Sequence, residues 1–371
     1  MPSHDLIIVG AGIVGLAHAL AAARRGKRVL VLDRDAQANG ASIRNFGFVT
    51  VTGQERGHVW DLASRSAAIW REIAGPAGIA IEQQGLLLVA QRPEAVAVID
   101  AFLATEMGAS CTRLDAAQIA ADWPMVRGAS AGLLSDQDLR IDSPLAIPAL
   151  SRWLSTAHRV EFAFGVAVQK VETGRVHTAT ATYEAEAVVV CPGDDWASLF
   201  PHSFAQAGIT RCKLQMLRLA APGWRLPCPV MSDLSLVRYL GYAALPEAAA
   251  LRARLEVEAT AALAHGIHLI AVQGADGSLV VGDSHDYGPT PDPFAAAATE
   301  DLILDSYRAV LGAAPQVVAR WTGTYASAAG HSIVHTPEPG VRLVVVTSGT
   351  GASTAFALAE DVITDLLGEA A

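Results

Sequence analysis

A glycine-rich turn near the N-terminus constrains the fold of this chain more than any other segment. Residues 5–10 are a short apolar run typical of a buried parallel strand, and residues 16–25 are an alanine-rich stretch of strong helix formers. Between them lies Gly-Ala-Gly-Ile-Val-Gly, at residues 10–15. A second apolar run at 27–32 ends at Asp33. Strand, glycine turn, helix, strand and acid in this order predict a βαβ unit that binds a dinucleotide.

Each part of this motif has a physical task. Gly10 permits a tight turn out of the strand, Gly12 lets a diphosphate approach the backbone, and Gly15 lets the helix pack closely on the sheet. The first N–H groups of the helix and its positive dipole end would face the diphosphate. Asp33 can accept hydrogen bonds from ribose hydroxyls, and an acid at this position disfavours NADP. The motif by itself leaves FAD and NAD open, and a merely structural βαβ unit is the alternative.

Composition excludes several other classes of protein. With 371 residues, 51% of them hydrophobic and 17% charged, the chain has room for a large core and two domains. The net charge of −10 and the lack of a Lys/Arg-rich patch argue against a nucleic-acid partner. No apolar run approaches the ~20 residues of a membrane span, and no signal peptide is recognisable, so we expect a cytoplasmic protein. The four cysteines lack disulfide or metal-ligand spacing, which predicts reduced thiols and no metal.

The loop after the second strand resembles a known family. Gly-Ala-Ser-Ile-Arg-Asn-Phe-Gly, at residues 40–47, is similar to a segment of the FAD-dependent amine oxidoreductases of the D-amino-acid oxidase and glycine oxidase type. In those proteins the segment runs along the flavin's diphosphate and ring. The resemblance therefore implies that FAD is contacted by Ser42, Arg44, Asn45, Phe46 and Gly47.

Further matches to this family follow along the chain. The apolar run at 187–191 leads to Gly193 and Trp196, and Gly323 follows Trp321. Near the C-terminus, the predicted strand 341–346 precedes a glycine-rich turn into a helix, which suits the pyrimidine end of a flavin. Two such turns beside one cofactor favour FAD over NAD. We expect the FAD to be bound non-covalently. The full predicted cofactor set is Gly10, Gly12, Ile13, Val14, Gly15, Asp33, Arg34, Ser42, Arg44, Asn45, Phe46, Gly47, Val166, Gly193, Trp196, Gly323, Gly349, Thr350, Gly351 and Ser353.

One departure from the family pattern concerns the substrate. The family frequently has Trp-x-Gly-x-Arg, in which the arginine binds the carboxylate of an amino acid, but here that position is Tyr325. Another cation must therefore bind an anionic substrate, or the anionic group differs from a carboxylate. No catalytic acid or base is evident. The candidate substrate contacts are Arg44, Arg238, Tyr239, His285, Tyr287 and Tyr325.

The resemblance implies an α/β fold with a Rossmann-like (GR2-type) FAD-binding domain and an inserted α+β substrate domain on a mixed or antiparallel sheet. The predicted FAD-binding domain comprises residues 1–50, 138–210 and 320–371, and the substrate domain comprises residues 51–137 and 211–319. The subgroup that the chain is most similar to carries the 40–47 sequence and Gly-Asp-Ser-His, present here at 282–285. That subgroup is associated with bacterial aminophosphonate breakdown.

The expected reaction is oxidation of a small primary or secondary amine, an amino acid or aminophosphonate, by hydride transfer to flavin N5, followed by hydrolysis of the imine. O2 or a quinone would then reoxidise the flavin. The alternative enzyme is an FAD-dependent 2-hydroxy-acid dehydrogenase, for which His285 or His331 could act as base. The non-enzymatic alternative is a flavin- or NAD-binding module with a structural or sensing role.

Overall fold

The computed structural model describes residues 4–368 and has an α/β fold built on two sheets. Within this range, no helix is both long enough and apolar enough to cross a membrane. The α/β class and the two-sheet arrangement confirm the predicted fold class.

The first sheet has eight strands. Its central five strands are parallel, and one edge strand and a hairpin extension are antiparallel. The strands are β1 (His4–Val9), β2 (Val29–Asp33), β7 (Glu161–Phe164), β8 (Val168–Glu172), β9 (Arg175–Thr178), β10 (Thr182–Val190), β17 (Ser332–His335) and β18 (Val341–Val346). The order β17-β18-β10-β1-β2-β7 places the N-terminal strand at the centre, between two long-range partners.

Four helices cover one face of this sheet and share one apolar core with it. They are α1 (Ile13–Ala23), α2 (His58–Ala74), α5 (Ser143–His158) and α11 (Gly351–Leu367). Trp70 of α2 packs edge-on against Phe356 of α11, with ring centroids 4.9 Å apart. Helices α1 and α11 both begin at the carboxyl edge of the parallel strands, so their positive ends point to the same place.

The second sheet has ten strands and mixed direction. Its strands are β3 (Phe48–Val49), β4 (Ile81–Ala90), β5 (Cys111–Asp115), β6 (Ala131–Ile141), β11 (Thr210–Leu219), β12 (Val230–Ser232), β13 (Ile270–Gln273), β14 (Leu279–Gly282), β15 (Asp286–Gly288) and β16 (Val317–Ser327). The remaining helices are α3 (Pro93–Leu103), α4 (Ala116–Asp122), α6 (Pro201–Ala205), α7 (Leu240–Ala243), α8 (Ala248–Glu258), α9 (Thr260–Ala264) and α10 (Ala297–Leu311).

Sheet membership differs from the predicted domain boundaries at β3, at the end of β6 and, over the longest stretch, at β16. Strand β16 begins at Val317 and pairs with β11 over its whole length, from Thr210↔Ser327 to Leu219↔Val317. It therefore belongs to the second sheet, whereas the boundary predicted at residue 320 assigned it to the FAD-binding domain. The pairing of β16 with β11 determines the sheet to which β16 belongs, and this pairing cannot be seen in the sequence.

Most predicted elements are present with small shifts at their ends, and α5 has the predicted bounds. The sequence pattern differs from the structure in two segments. Residues 236–239 are strand-like in sequence, but residues 233–237 form a 3-10 turn, in which the buried Ser235 hydroxyl bonds to His268. The sequence of residues 79–90, with Gly85 in the middle, predicts a pair of strands, but β4 is one strand whose register shifts around Gly85.

Candidate active site

A cavity of about 720 Å³ opens at the carboxyl edge of the parallel strands. The ends of β1, β2, β10 and β18 line it on one side, and side chains of the second sheet line it on the other. This is the edge at which open α/β sheets bind their ligands. The volume lies within the range of ordinary ligand and cofactor pockets.

The first glycine turn is held by close backbone contacts. A Cβ on Gly15 would lie 1.9 Å from the Gly10 carbonyl oxygen, so helix α1 can approach its own strand only with glycine at this position. Gly10 has a φ of +108°, and its amide donates to the Leu32 carbonyl at 2.8 Å. The task predicted for Gly15, close packing of the helix on the sheet, is therefore visible in the geometry.

Asp33 and Ser42 both bond to this turn. Asp33 Oδ2 accepts from the Ala11 amide at 2.6 Å, and Ser42 Oγ accepts from the Ile13 amide at 2.9 Å. The Val166 amide donates to the Asp33 carbonyl at 2.8 Å, so Asp33 joins the glycine turn to the loop after β7. Of these five residues, all except Ala11 line the cavity.

The 40–47 loop closes over the cavity through its own hydrogen bonds. The Asn45 side chain donates to the Ala41 carbonyl at 2.7 Å and accepts from the Gly47 amide at 2.7 Å. A Cβ on Gly323 would lie 3.1 Å from Arg44 Cβ and from its carbonyl oxygen, so glycine at 323 lets β16 approach this loop. The match at Gly323 thus reflects contact between two distant parts of the chain.

The second glycine turn, residues 349–353, faces the same cavity at the start of α11. Ser353 Oγ accepts from the Thr50 amide at 2.8 Å and is buried. Thr354 Oγ1 lies 3.0 Å from both the Thr350 carbonyl oxygen and His331 Nε2. Among residues 4–368, the other ring nitrogen of His331, Nδ1, is buried and has no hydrogen-bond partner.

These features fit a bound FAD. Within residues 4–368, Gly12, the N-cap of α1, and Thr350, the N-cap of α11, make no side-chain cap hydrogen bond. Ser42 accepts from the Ile13 amide, so α1 presents the N–H groups that follow it, and both helices present a positive end to the cavity, as anionic parts of a cofactor require. Nδ1 of His331 is a further polar atom without a partner among these residues. Cys191 also lines the cavity, but burial raises the pKa of its thiol, which disfavours the thiolate needed for covalent attachment.

Eighteen of the twenty predicted cofactor residues line this cavity. The two that do not are Gly47, which lies behind Asn45, and Trp196. The Trp196 ring packs under the Arg211 guanidinium, whose carbon lies 4.2 Å from the ring centroid.

Two of the candidate substrate residues, Tyr287 and Tyr325, lie on strands of the second sheet, and Arg238, Tyr239 and His285 lie in the segments that join its elements. Arg238 Nη2 donates to Tyr287 Oη at 3.0 Å. Tyr325 and Tyr287 flank Cys212 from the two neighbouring strands, β16 and β15. Burial raises the pKa of Tyr325, so its hydroxyl remains a hydrogen-bond donor at neutral pH. Arg44 also lines the cavity, although its guanidinium bonds to Asn39 Oδ1 at 3.0 Å.

The sequence prediction missed two members of the site. His268 and Asp283 line the cavity together with His285 and are as deeply buried. Burial lowers the pKa of both imidazoles, that of His285 to about 3. Burial alone would raise the pKa of the Asp283 carboxyl, but each imidazole, when protonated, and the Arg238 guanidinium lower it to about 2. The one available signal was Asp283 within the Gly-Asp-Ser-His match at 282–285, since His268 lies outside that match, just before β13.

A family model described as DAO, FAD dependent oxidoreductase, matches residues 5–366. No curated protein matched the sequence. Many solved structures share the fold.

Three of these structures show how similar the fold is at low sequence identity. Glycine oxidase from Geobacillus kaustophilus superposes with a TM-score of 0.77 at 18% identity, over 99% of this chain and 95% of that one. Iminodiacetate oxidase from Chelativorans sp. BNC1 gives 0.72 at 16% identity, over 98% and 96%. L-alpha-glycerophosphate oxidase from Mycoplasma pneumoniae, with FAD bound, gives 0.76 at 15% identity, over 99% and 95%.

Proposed function

Because the chain belongs to the DAO family of FAD-dependent oxidoreductases, we propose that it oxidises a small primary or secondary amine that carries an anionic group. FAD is its cofactor, and the protein is an enzyme. The observation that carries the substrate proposal is the position of Arg238: its guanidinium lines the cavity that both glycine turns line. A guanidinium there can bind an anion while the rest of the substrate faces the cofactor.

The residues of the first turn, Asp33, the 40–47 loop and the second turn would hold FAD. When bound, FAD supplies a two-electron acceptor for the hydride on the carbon next to the amine nitrogen. The protein then has to orient that C–H bond, which is a positioning task. The resulting imine is hydrolysed by water to a carbonyl compound and ammonia or an amine, and the electrons pass to O2 or a quinone.

Two hydroxyl groups support anion binding beside Arg238. Tyr287 Oη already accepts from Arg238, so its own proton is available to a substrate oxygen. Tyr325 replaces the family's carboxylate-binding arginine with a neutral donor. One guanidinium with additional hydroxyl donors suits a tetrahedral oxyanion with three acceptors. We therefore propose that an aminophosphonate is preferred over an amino acid.

Anaerobic titration of the FAD-loaded protein tests this proposal. Bleaching of the long-wavelength flavin band would be followed with glycine, sarcosine, D-alanine, D-proline, small aminophosphonates with and without N-methyl groups, and 2-hydroxy acids. We expect rapid bleaching by aminophosphonates. Bleaching by amino acids only would retain the amine oxidase and reject the phosphonate preference.

The second candidate is oxidation of a 2-hydroxy acid. The buried His285, which lines the cavity, favours it, since alcohol oxidation commonly needs a base. In the same titration, bleaching by hydroxy acids and by no amine would overturn the amine proposal in favour of this one.

A further inference from the structure

Three buried side chains converge at the substrate end of the cavity. His268 is 3% exposed, Asp283 5% and His285 8%. Asp283 Oδ1 lies 3.2 Å from His268 Nε2, and Oδ2 lies 3.6 Å from His285 Nε2. One ligand atom from each residue lies within 4.8 Å of the other two. The proposed amine oxidation uses neither His268 nor Asp283.

The hydrogen bonds of the two histidines bear on where their protons are. His285 Nδ1 lies 2.9 Å from the Gly266 carbonyl oxygen, which can only accept, so Nδ1 carries the proton. The Ser235 hydroxyl lies 3.0 Å from the His268 carbonyl oxygen and 3.1 Å from His268 Nδ1. When this hydroxyl donates to the carbonyl oxygen, it accepts from Nδ1, and Nε2 then presents a lone pair in both neutral rings.

Both of these lone pairs face a carboxylate. Three electron-rich atoms then point at one another in a buried space, which is unfavourable unless a cation lies between them. Within residues 4–368, no lysine or arginine forms an ion pair with Asp283, and its Oδ1 accepts no hydrogen bond of good geometry. The nearby Arg238 donates to Tyr287 instead.

We propose that His268, Asp283 and His285 bind a divalent transition-metal ion such as Zn²⁺. Two neutral imidazoles and one carboxylate are a donor set that such ions take, with the remaining positions open. The outer hydrogen bonds agree with this assignment, because metal-binding histidines usually donate their other ring N–H to a carbonyl or similar acceptor. The open positions face the cavity, which all three residues line.

The ion would add positive charge at the end of the cavity that holds Arg238. It could therefore take an oxygen of the substrate's anionic group. Metal binding itself does not depend on the proposed amine oxidation, so the two can fail separately.

Zinc binding to the FAD-loaded protein tests the proposal. Chelator-treated protein would be dialysed against Zn²⁺, the bound metal measured by atomic emission, and the affinity measured by calorimetry. We expect one bound zinc per chain. His268→Ala, His285→Ala and Asp283→Asn should each lower the affinity by about 100-fold or more. Asp283→Asn preserves the side-chain shape, and the flavin spectrum of each variant reports whether it has folded.

The control is His177→Ala. His177 lies on the surface hairpin, where Nε2 is 3.0 Å from Glu172 Oε2, and its loss should leave zinc binding unchanged. The proposal is overturned if the wild type binds no more zinc than a His268→Ala/His285→Ala double variant. It is also overturned if ¹⁵N NMR of the chelator-treated protein in the presence of Zn²⁺ shows a proton on Nε2 of both histidines. Zinc binding without amine oxidation would reject only the proposed function.

Discussion

The two ends of the cavity are built in different ways. At the cofactor end, the cavity is lined by two glycine turns and by the first turns of α1 and α11. At the substrate end, it is lined by residues from the 3-10 turn region, from β16 and from the segments around β13, β14 and β15. The residues of the cofactor end lie next to one another in sequence within each motif. The residues of the substrate end are single residues from distant positions in the chain.

This difference explains why the cofactor can be predicted from the sequence and the substrate cannot. A backbone site needs glycines at fixed spacing next to a strand and a helix, which is a local pattern. A side-chain site needs only that certain strands become neighbours, and many sequences satisfy that. Changes at the two ends should therefore affect different measurements, FAD content at one and substrate specificity at the other.

The largest expected effect is that of Gly15→Ala. The new Cβ would lie 1.9 Å from the Gly10 carbonyl oxygen, so α1 must move away from the strand. We expect FAD content to fall at least tenfold, equivalent to about 1.4 kcal/mol, with a loss of stability of about 1–3 kcal/mol. The ratio of flavin to protein absorbance and urea unfolding measure these effects.

Gly75→Ala is the matched control for that variant. Gly75 has a φ of −59°, and a Cβ there would meet no atom within 4 Å. It should bind FAD as the wild type does. Full FAD content in Gly15→Ala would show that the cofactor end does not depend on this close packing.

At the substrate end, Arg238→Ala should leave FAD content unchanged and weaken catalysis. Loss of a charge-assisted contact to the substrate anion costs about 2 kcal/mol, or roughly a 30-fold lower kcat/KM. The KM for an amine without an anionic group should not change. Steady-state kinetics of both substrates measure the difference.

Arg175→Ala removes an exposed arginine of β9. It is the control for the loss of a positive charge by itself and should have wild-type kinetics. If Arg238→Ala also behaves as the wild type does with the anionic amine, Arg238 does not bind the anion.

A third prediction concerns pH and the buried His18 of α1. Burial lowers the pKa of His18 to about 4, below the value of about 6.5 expected in the unfolded chain. The unfolded state therefore takes up a proton first as the pH falls, and stability is lost between about pH 6.5 and pH 4. From pH 7.5 to pH 5, this contribution is about 2 kcal/mol.

His18→Leu removes this titration with little change in volume. Urea unfolding of the FAD-loaded proteins at both pH values should show about 2 kcal/mol less pH dependence in the variant. The same change at the exposed His202 should keep the wild-type pH dependence. Equal pH dependence in His18→Leu and the wild type would contradict the prediction.

The smallest expected effect is that of Ser42→Ala. This change removes the acceptor for the Ile13 amide at 2.9 Å, a contact worth about 1 kcal/mol, so the Kd for FAD should rise roughly fivefold. Fluorescence titration of apoprotein with FAD measures it. Ser151→Ala, on α5, should have no effect on the Kd, and an unchanged Kd in Ser42→Ala would remove Ser42 from the cofactor end.

The sequence alone determined the cofactor end of this protein. The run from residue 5 to Asp33 and the turn at 349–353 each combine a strand, glycines and a helix within a short segment, so local physics specifies them. Most of the residues predicted from these segments and from the 40–47 loop line one cavity. The resemblance to an FAD-dependent family extended this prediction to the class of enzyme.

Only the tertiary structure decided the substrate end. The sequence predicted Arg238, Tyr239, His285, Tyr287 and Tyr325 as separate candidates, and pairing of β11 with β15 and β16 brings the tyrosines together. Residues 233–237 became a turn because Ser235 is anchored to His268, a contact between residues 33 positions apart. Pairing between strands is not encoded in either strand alone, so the cluster of His268, Asp283 and His285 exists only in the folded chain.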